Sequence, residues 1–336
     1  MSPINQPSSF CPKPFEWFEL HPGGEVFLCC PAWLKTPAGN LLEDSAAAIW
    51  NSPLAVEVRK TILNGSYHRC NRQRCPYLSG GRSFPDTLAA ELQAAHRDGT
   101  STLAYGPRTL NLCFDQSCNI ACPSCRSEVQ SSTGDARERA TKLASKVLAE
   151  LAPSTRELRL SGFGDPFASP VYRRLLQAVA PETFPLLKHL HLHSNGLLWD
   201  TSTWQSMSNL HPYLGSAEIS IDAADAETYR LNRGADFERL LANLDFICNL
   251  STKLTLSCVV QANNFRQIPT FVELARSYNA AAYFSPLLNW GTFSRQEFNR
   301  RAVHRPEHPE HPIFLSILHQ VSSLEGVNIG SLHSLL

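Results

Sequence analysis

Three cysteines within eight residues are the most chemically pointed feature of this 336-residue sequence: Cys118-Asn-Ile-Ala-Cys122-Pro-Ser-Cys125, a C-x3-C-x2-C run. Three thiolates so close in one loop can hold three corners of an iron–sulfur cubane and leave its fourth iron without a protein ligand. A catalytic cluster needs such an open iron, much as catalytic zinc keeps a coordination position for water or substrate. Zinc itself would call for a fourth ligand nearby, and no Cys or His occurs in the twenty residues after Cys125. A second group lies earlier: Cys11, Cys29, Cys30, Cys70 and Cys75. Four thiols from separated loops suit a fully ligated cubane, which transfers electrons or holds a substrate. A structural zinc is the alternative there. Cys248 and Cys258 stand apart and read as core thiols, since cysteine packs as a small hydrophobe.

The rest of the composition narrows the setting. Hydrophobic residues make up 43% and charged residues 18%, which is globular composition. Thirty basic and thirty acidic side chains give no net charge, so nothing points to a nucleic-acid partner. The N-terminus, Met1-Ser-Pro-Ile-Asn-Gln-Pro, lacks a basic and an apolar signal region, and no apolar run is long enough to span a membrane. A cytoplasmic protein is expected, in which a total of eleven cysteines points to metal or redox chemistry rather than disulfides.

Positioning those thiols falls to an alternating pattern. Strands are predicted near 108–115, 156–161, 187–193, 216–222, 252–261 and 280–286. Helices are predicted near 135–151, 169–180, 201–209, 236–249 and 266–278. Such alternation implies α/β architecture with a parallel sheet and external helices. Side-chain alternation along a strand then sorts the faces. It groups Asn111, Cys113 and Asp115; His191, His193 and Asn195; Ser220 and Asp222; and Thr255, Ser257 and Gln261. Cys258 falls on the opposite, apolar face with Leu254 and Leu256. Residues 1–82 read as a small cysteine-rich domain with helices at 44–51 and 53–64. Residues 83–107 are a connector with a helix over 84–98, and 108–290 hold the βα run. The remainder, 291–336, is a tail whose histidines (His304, His308, His311) read as a solvated loop before a helix near 313–323.

The C-x3-C-x2-C run after a strand (Arg108-Thr-Leu-Asn-Leu-Cys-Phe-Asp) resembles the signature of the radical S-adenosylmethionine (SAM) superfamily. Ser124 stands where that superfamily often has an aromatic. Gly162-Phe163-Gly164-Asp165-Pro166 resembles its G-G-E-P element, with Phe163 and Asp165 in place of Gly and Glu. His193-Ser-Asn195-Gly196 resembles its T-N-G turn, Ser220-Ile-Asp222 its S-x-D element, and Arg233-Gly234 the Arg-Gly that often follows. The spacing Cys11-x12-Gly24-x4-Cys29, with Cys70 and Cys75 and a helix at Ala48-Ile-Trp-Asn-Ser-Pro, resembles the SPASM/twitch extensions of the same superfamily. There the extension follows the barrel; here it precedes it. Within that resemblance the G-x4-C spacing selects Cys29 over Cys30 as ligand.

The resemblance implies a partial (β/α)6 barrel and two [4Fe-4S] clusters: one on Cys118, Cys122 and Cys125 that binds SAM, and an auxiliary one on Cys11, Cys29, Cys70 and Cys75. One electron, from a flavodoxin- or ferredoxin-like donor, would cleave SAM to a 5′-deoxyadenosyl radical that abstracts a substrate hydrogen. It further implies that Gly162 to Asp165 meet the SAM amino group, that Asn195 belongs to the same SAM-binding set, that Ser220 and Asp222 meet the ribose and that Arg233 meets the carboxylate. The reaction expected first is epimerisation of a carbohydrate-type small molecule. It needs a thiol outside the cluster sets as hydrogen donor, for which Cys113 and then Cys30 are the candidates. Dehydrogenation of an alcohol and modification of a ribosomal peptide are the other enzymatic readings. A non-catalytic iron–sulfur carrier is the reading of another class.

Overall fold

The computed structural model of the protein describes residues 10–75, 77–79 and 88–336. The start of the expected connecting helix, residues 84–87, lies outside the described residues. The chain divides into two compact units.

The first unit comprises Met1–Asp115, Thr133–Arg159 and Ala178–Lys188. It begins with a short helix α1 (Lys13–Glu16) leading into strand β1 (Trp17–Leu20). β1 turns into β2 (Glu25–Phe27) through a hairpin, and β2 pairs antiparallel with β3 (Gly39–Asn40). The hairpin depends on Gly24, whose backbone is left-handed at φ 88°, and a Cβ there would collide with Asn40. Helices α2 (Ala46–Trp50) and α3 (Pro53–Leu63) follow, each opened by a serine cap: Ser45 accepts from the Ala48 amide and Ser52 from the Ala55 amide. Helix α4 spans Ala90–Arg97, and β4 spans Thr109–Leu112. β4 pairs parallel with β1, in register from Trp17↔Thr109 to Leu20↔Leu112. Helix α5 (Gly134–Lys146) continues as a π-helical turn over Val147–Leu151, and β5 runs Glu157–Leu160.

A buried arginine holds the cysteine-rich part together. The Arg59 guanidinium donates to the carbonyls of Pro14, Trp50 and Ser101 and to the Asn51 side chain, at 2.8–3.1 Å. It also stacks over the Trp50 ring at 4.4 Å. Burial without a carboxylate partner among the described residues disfavours its charge and lowers its pKa to about 10.

The second unit comprises Gln116–Ser132, Leu160–Gln177 and His189–Leu336. Its strands β6 (His189–Ser194), β7 (Leu214–Ser220), β8 (Lys253–Val260), β9 (Ala281–Pro286) and β10 (Val327–Asn328) are all parallel neighbours in that order. Between and after them run α6 (Pro170–Gln177), α7 (Thr201–Gln205), α8 (Ala226–Arg233), α9 (Phe237–Ile247), α10 (Ile268–Ser277), α11 (Arg295–Arg301) and α12 (His311–Ser322). Asp200, Asp225 and Asp236 cap α7, α8 and α9 by accepting from amides two or three residues on. One sheet face is apolar: Leu190, Leu192, Ala217, Ile219, Leu254, Leu256 and Phe284 are all buried, with Phe271 of α10 edge-on to Phe284. Each such leucine or phenylalanine adds about 1.5–3 kcal/mol to folding.

Strands β4 to β9 fall where the six strands are expected, which makes the chain a mixed α/β protein with a parallel sheet. Two expectations need correction. The tail histidines do not sit in a solvated loop: His308 bonds the Arg300 carbonyl and His311 the Val303 carbonyl, ahead of the expected helix, α12, which packs Phe314 against Phe265. Cys248 lies half-buried at the end of α9 rather than in the core, whereas Cys258 is buried. Among the described residues no helix is long and apolar enough to cross a membrane.

Candidate functional site

In the first unit, Cys11, Cys29, Cys70 and Cys75 line one cavity, walled by Pro14, Leu34, Ile62 and Tyr67. Three local features gather them. The β1–β2 hairpin delivers Cys29, α1 follows directly on Cys11, and the loop after α3 folds back so that the Asn71 amide donates to the Trp33 carbonyl and the Cys75 amide to the Asn71 carbonyl, both at 2.9 Å. Burial raises the thiol pKa of Cys11 to about 12 and of Cys70 to about 11, and neighbouring cysteine charges add to both. Burial, then the charges of Cys11 and Cys30, push Cys29 well above the ordinary thiol value. Thiols held together in an apolar cavity resist ionisation unless a cation joins them, and this donor set fits an iron–sulfur cluster. Cys30 does not line the cavity. Its neighbours include Glu19, whose charge, behind burial, raises its pKa.

In the second unit, Cys118, Cys122 and Cys125 share a loop closed at both ends. The Cys118 amide donates to Gln130 at 2.8 Å, and the Cys125 and Arg126 amides turn back to the Cys122 carbonyl. Cys122 is buried, Cys118 half-buried and Cys125 exposed. Three thiols on one loop, one of them facing solvent, fit a cluster that keeps an iron open.

Four other chain segments converge on this loop. After β5, the Asp165 amide donates to the Ser117 carbonyl at 2.8 Å. The Asp165 carboxylate is 1% exposed and accepts from the Phe167, Ala168 and Asn195 amides and the Ser194 hydroxyl, so it ties its own turn to the end of β6. Gly162, Phe163 and Gly164 form the turn before it, with the Phe163 ring edge-on to Trp290 at 6.5 Å. Asn195 donates to the Asn119 side chain at 2.9 Å and to the Cys118 sulfur at 3.7 Å.

The end of β7 departs from the expected alternation. Regular strand stops at Ser220, and Asp222 takes a left-handed backbone with φ 61°. Its carboxylate accepts from the Val259 amide at 2.6 Å and from Arg233 at 3.0 Å. Arg233 is the last residue of α8; Gly234, left-handed at φ 66°, ends the helix where its Cβ position lies 3.5 Å from the Ala121 carbonyl. Burial disfavours the Arg233 charge, but Cys122 and Asp222 outweigh it and hold the pKa above the ordinary arginine value. Among the described residues its Nε has no hydrogen-bond partner, nor does the buried hydroxyl of Tyr229, whose pKa burial raises to about 12.

Beside this, the non-apolar face of β6–β8 carries a ladder of polar groups. Ser216 lies 2.9 Å from His189 Nε2 and 2.8 Å from His191 Nδ1; Ser220 lies 2.7 Å from His193 Nε2 and 3.4 Å from Ser257. Cys113 lies in the first unit, where Asn111 donates to its sulfur at 3.4 Å. Glu19, His21 and Tyr229 escaped the sequence reading. The alternation Trp17-Phe-Glu19-Leu-His21, which puts two ionisable groups on one face of an apolar strand, was the available signal for the first two.

Residues 11–76 match the SPASM family, an iron–sulfur cluster-binding domain. No curated protein matches the sequence. Similar solved structures include Streptococcus suis SuiB bound to precursor peptide SuiA, at 13% identity and a TM-score of 0.45 over 84% of this chain and 64% of that one. They also include native anSMEcpe with bound AdoMet, at 21% identity and 0.42 over 54% and 52%. A third is TYW1 with a lysine-pyruvate adduct, at 16% identity and 0.38 over 65% and 72%. The chain thus spans under two thirds of the length of the first two.

Proposed function

We propose that the protein is a radical SAM enzyme with an auxiliary cluster in its SPASM domain. The observation that carries this is the convergence of Asp165, Asn195, Asp222 and Arg233, from segments up to about a hundred residues downstream, on the three-cysteine loop. A mere electron carrier has no use for that gathering. In this reading Cys118, Cys122 and Cys125 hold the SAM-binding cluster, and Cys11, Cys29, Cys70 and Cys75 the auxiliary one.

When bound, the cluster and SAM together supply a 5′-deoxyadenosyl radical able to take a hydrogen atom from a substrate carbon. The chain's part is to hold and orient. The turn Gly162–Asp165 offers backbone groups to the SAM amino group, since the Asp165 carboxylate is occupied by nearby amides and Ser194. Arg233, with its free Nε, serves the SAM carboxylate, and Asp222 keeps that guanidinium in place. Ser220, with Asp222 at the strand end, serves the ribose. A flavodoxin- or ferredoxin-like protein delivers the electron.

The histidine and serine ladder on β6–β8 supports a substrate rich in hydroxyl groups, and hence a carbohydrate-type small molecule. Epimerisation is the reaction we assign. A hydrogen atom leaves carbon, and Cys113 or Cys30 returns one to the opposite face. Restoring that thiol takes one electron and one proton; Cys11, Cys29, Cys70 and Cys75 would hold the auxiliary cluster, which would supply electron-transfer chemistry.

Anaerobic reconstitution followed by incubation with SAM and dithionite tests the reading. About eight iron and eight sulfide per chain, with 5′-deoxyadenosine formed, are expected. Zinc in place of iron, with no 5′-deoxyadenosine, would sink it.

A further inference from the structure

We infer that Glu19, His21 and Cys113 form a mononuclear site for a divalent metal ion, zinc by preference, separate from both cysteine sets. A carboxylate oxygen of Glu19, a ring nitrogen of His21 and the Cys113 sulfur all lie within 4.8 Å of one another. Glu19 and Cys113 are buried, and His21 is half-buried. The sheet brings them together: β1 and β4 run parallel with Glu19 opposite Asn111, and the Cys113 amide continues the ladder onto the Leu20 carbonyl at 2.9 Å. Glu19 on β1, His21 one residue past its end and Cys113 one residue past the end of β4 are thereby brought together.

The surroundings are those of a ligand set already held in place. Asn111 Nδ2 donates to Glu19 Oε2 at 3.1 Å and to the Cys113 sulfur at 3.4 Å, and Trp17 Nε1 donates to Glu19 Oε2 at 3.1 Å. The Phe27 ring packs against the His21 ring at 4.8 Å. Outer groups of this kind fix ligand orientation in metal sites. Without a metal, Glu19 Oε1 and His21 Nε2 share a hydrogen bond of 2.9 Å, the same two atoms that would turn to the ion.

Sulfur, imidazole and carboxylate donors on one ion select zinc over magnesium or calcium. Three protein ligands are the number that catalytic zinc sites use, leaving a position for water or for a hydroxyl or carboxylate oxygen of a bound molecule. On the radical SAM reading, a Cys113 thiolate bound to metal cannot donate hydrogen, and the donor role passes to Cys30, which neighbours Glu19.

The holoprotein, reconstituted with iron and sulfide, supplied with zinc and passed through chelating resin, is assayed for zinc, iron and sulfide together. About one zinc per chain is expected beside the iron, with an X-ray absorption spectrum of one sulfur at about 2.3 Å and nitrogen or oxygen at about 2.0–2.2 Å. Cys113→Ser and His21→Gln should each remove the zinc, and Asn111→Ala should weaken its binding about 10–100-fold, with iron and sulfide unchanged. Unchanged iron and sulfide also show that a variant has folded. Absence of zinc from the wild type at full iron loading would overturn the site. So would zinc that survives Cys113→Ser, or a four-sulfur spectrum marking zinc on the SPASM cysteines. These readings are independent of 5′-deoxyadenosine formation, so the site and the radical reading fail separately.

Discussion

The two cysteine groups solve opposite problems. In the SPASM domain four thiols come from three loops and meet in a cavity walled by apolar side chains, where burial, with neighbouring cysteine charges behind it, raises Cys11 to about 12. In the second unit three thiols come from one eight-residue loop and grade from buried Cys122 to exposed Cys125. A fully ligated cluster asks only for enclosure, so its ligands can come from scattered loops. On the proposed reading, a cluster with an open iron asks for a cofactor beside it, so its loop stays near solvent while other segments supply the remaining contacts. The two arginines differ in the same way. Arg59 donates to three carbonyls and one side-chain amide and ties its domain together; Arg233 pairs with one carboxylate, and its Nε has no hydrogen-bond partner among the described residues.

The largest effect should separate the two cysteine groups outright. Replacing Cys118, Cys122 and Cys125 together by alanine should halve the iron to about four per chain and abolish 5′-deoxyadenosine formation. Replacing Cys70 and Cys75 should cost the same iron but leave SAM cleavage measurable. Equal loss of SAM cleavage in both variants would break the division of labour.

The arginines come next. Arg233→Ala strands the Asp222 carboxylate and should cost about 3–5 kcal/mol in anaerobic urea unfolding, whereas Arg233→Lys should recover part of it. Arg59→Met leaves several buried carbonyls without donors and should cost a similar amount, about 3 kcal/mol or more. Because Arg59 faces neutral acceptors, Arg59→Lys should recover less than Arg233→Lys does. Asp165→Asn ranks below both: an amide turned toward the Asn195 N–H loses an acceptor, at about 1–3 kcal/mol.

The smallest effect concerns acid. His304 has its pKa lowered to about 4, first by burial and then by the charges of Arg305 and His311, and its Nδ1 has no hydrogen-bond partner among the described residues. A base whose folded pKa lies below its unfolded value of about 6.5 binds fewer protons in the native state. Stability should therefore fall as pH drops from about 6.5 to about 4, by no more than about 2 kcal/mol once partial exposure is allowed for. His304→Leu should flatten that slope, read as the urea midpoint against pH, and leave the iron count of both cysteine groups unchanged.

Local sequence determined much of this molecule. The βα alternation located β4 to β9 because buried strands and amphipathic helices have different hydrophobic periods. Strand alternation placed His191, His193 and Ser220 on the polar face and Cys258 on the apolar one, because that period is 2 wherever a strand stays regular. The cysteine spacings grouped the ligand candidates because a short loop confines thiols whatever lies around it.

What only the tertiary structure decided is whatever depends on a strand ending or on a long-range neighbour. Asp222 was expected beside Ser220. Its backbone is left-handed there and its carboxylate meets Arg233 and Val259, two part-buried contacts that no local pattern encodes. Helices α8 and α11 were missed because they are short and carry few apolar residues to set a period. Glu19 and His21 meet Cys113 across more than ninety residues, and only the parallel pairing of β1 with β4 fixes that register. Spacing tells which side chains share a strand face or a loop. Which strand lies next to which follows from burying whole faces at once, a sum over the entire chain.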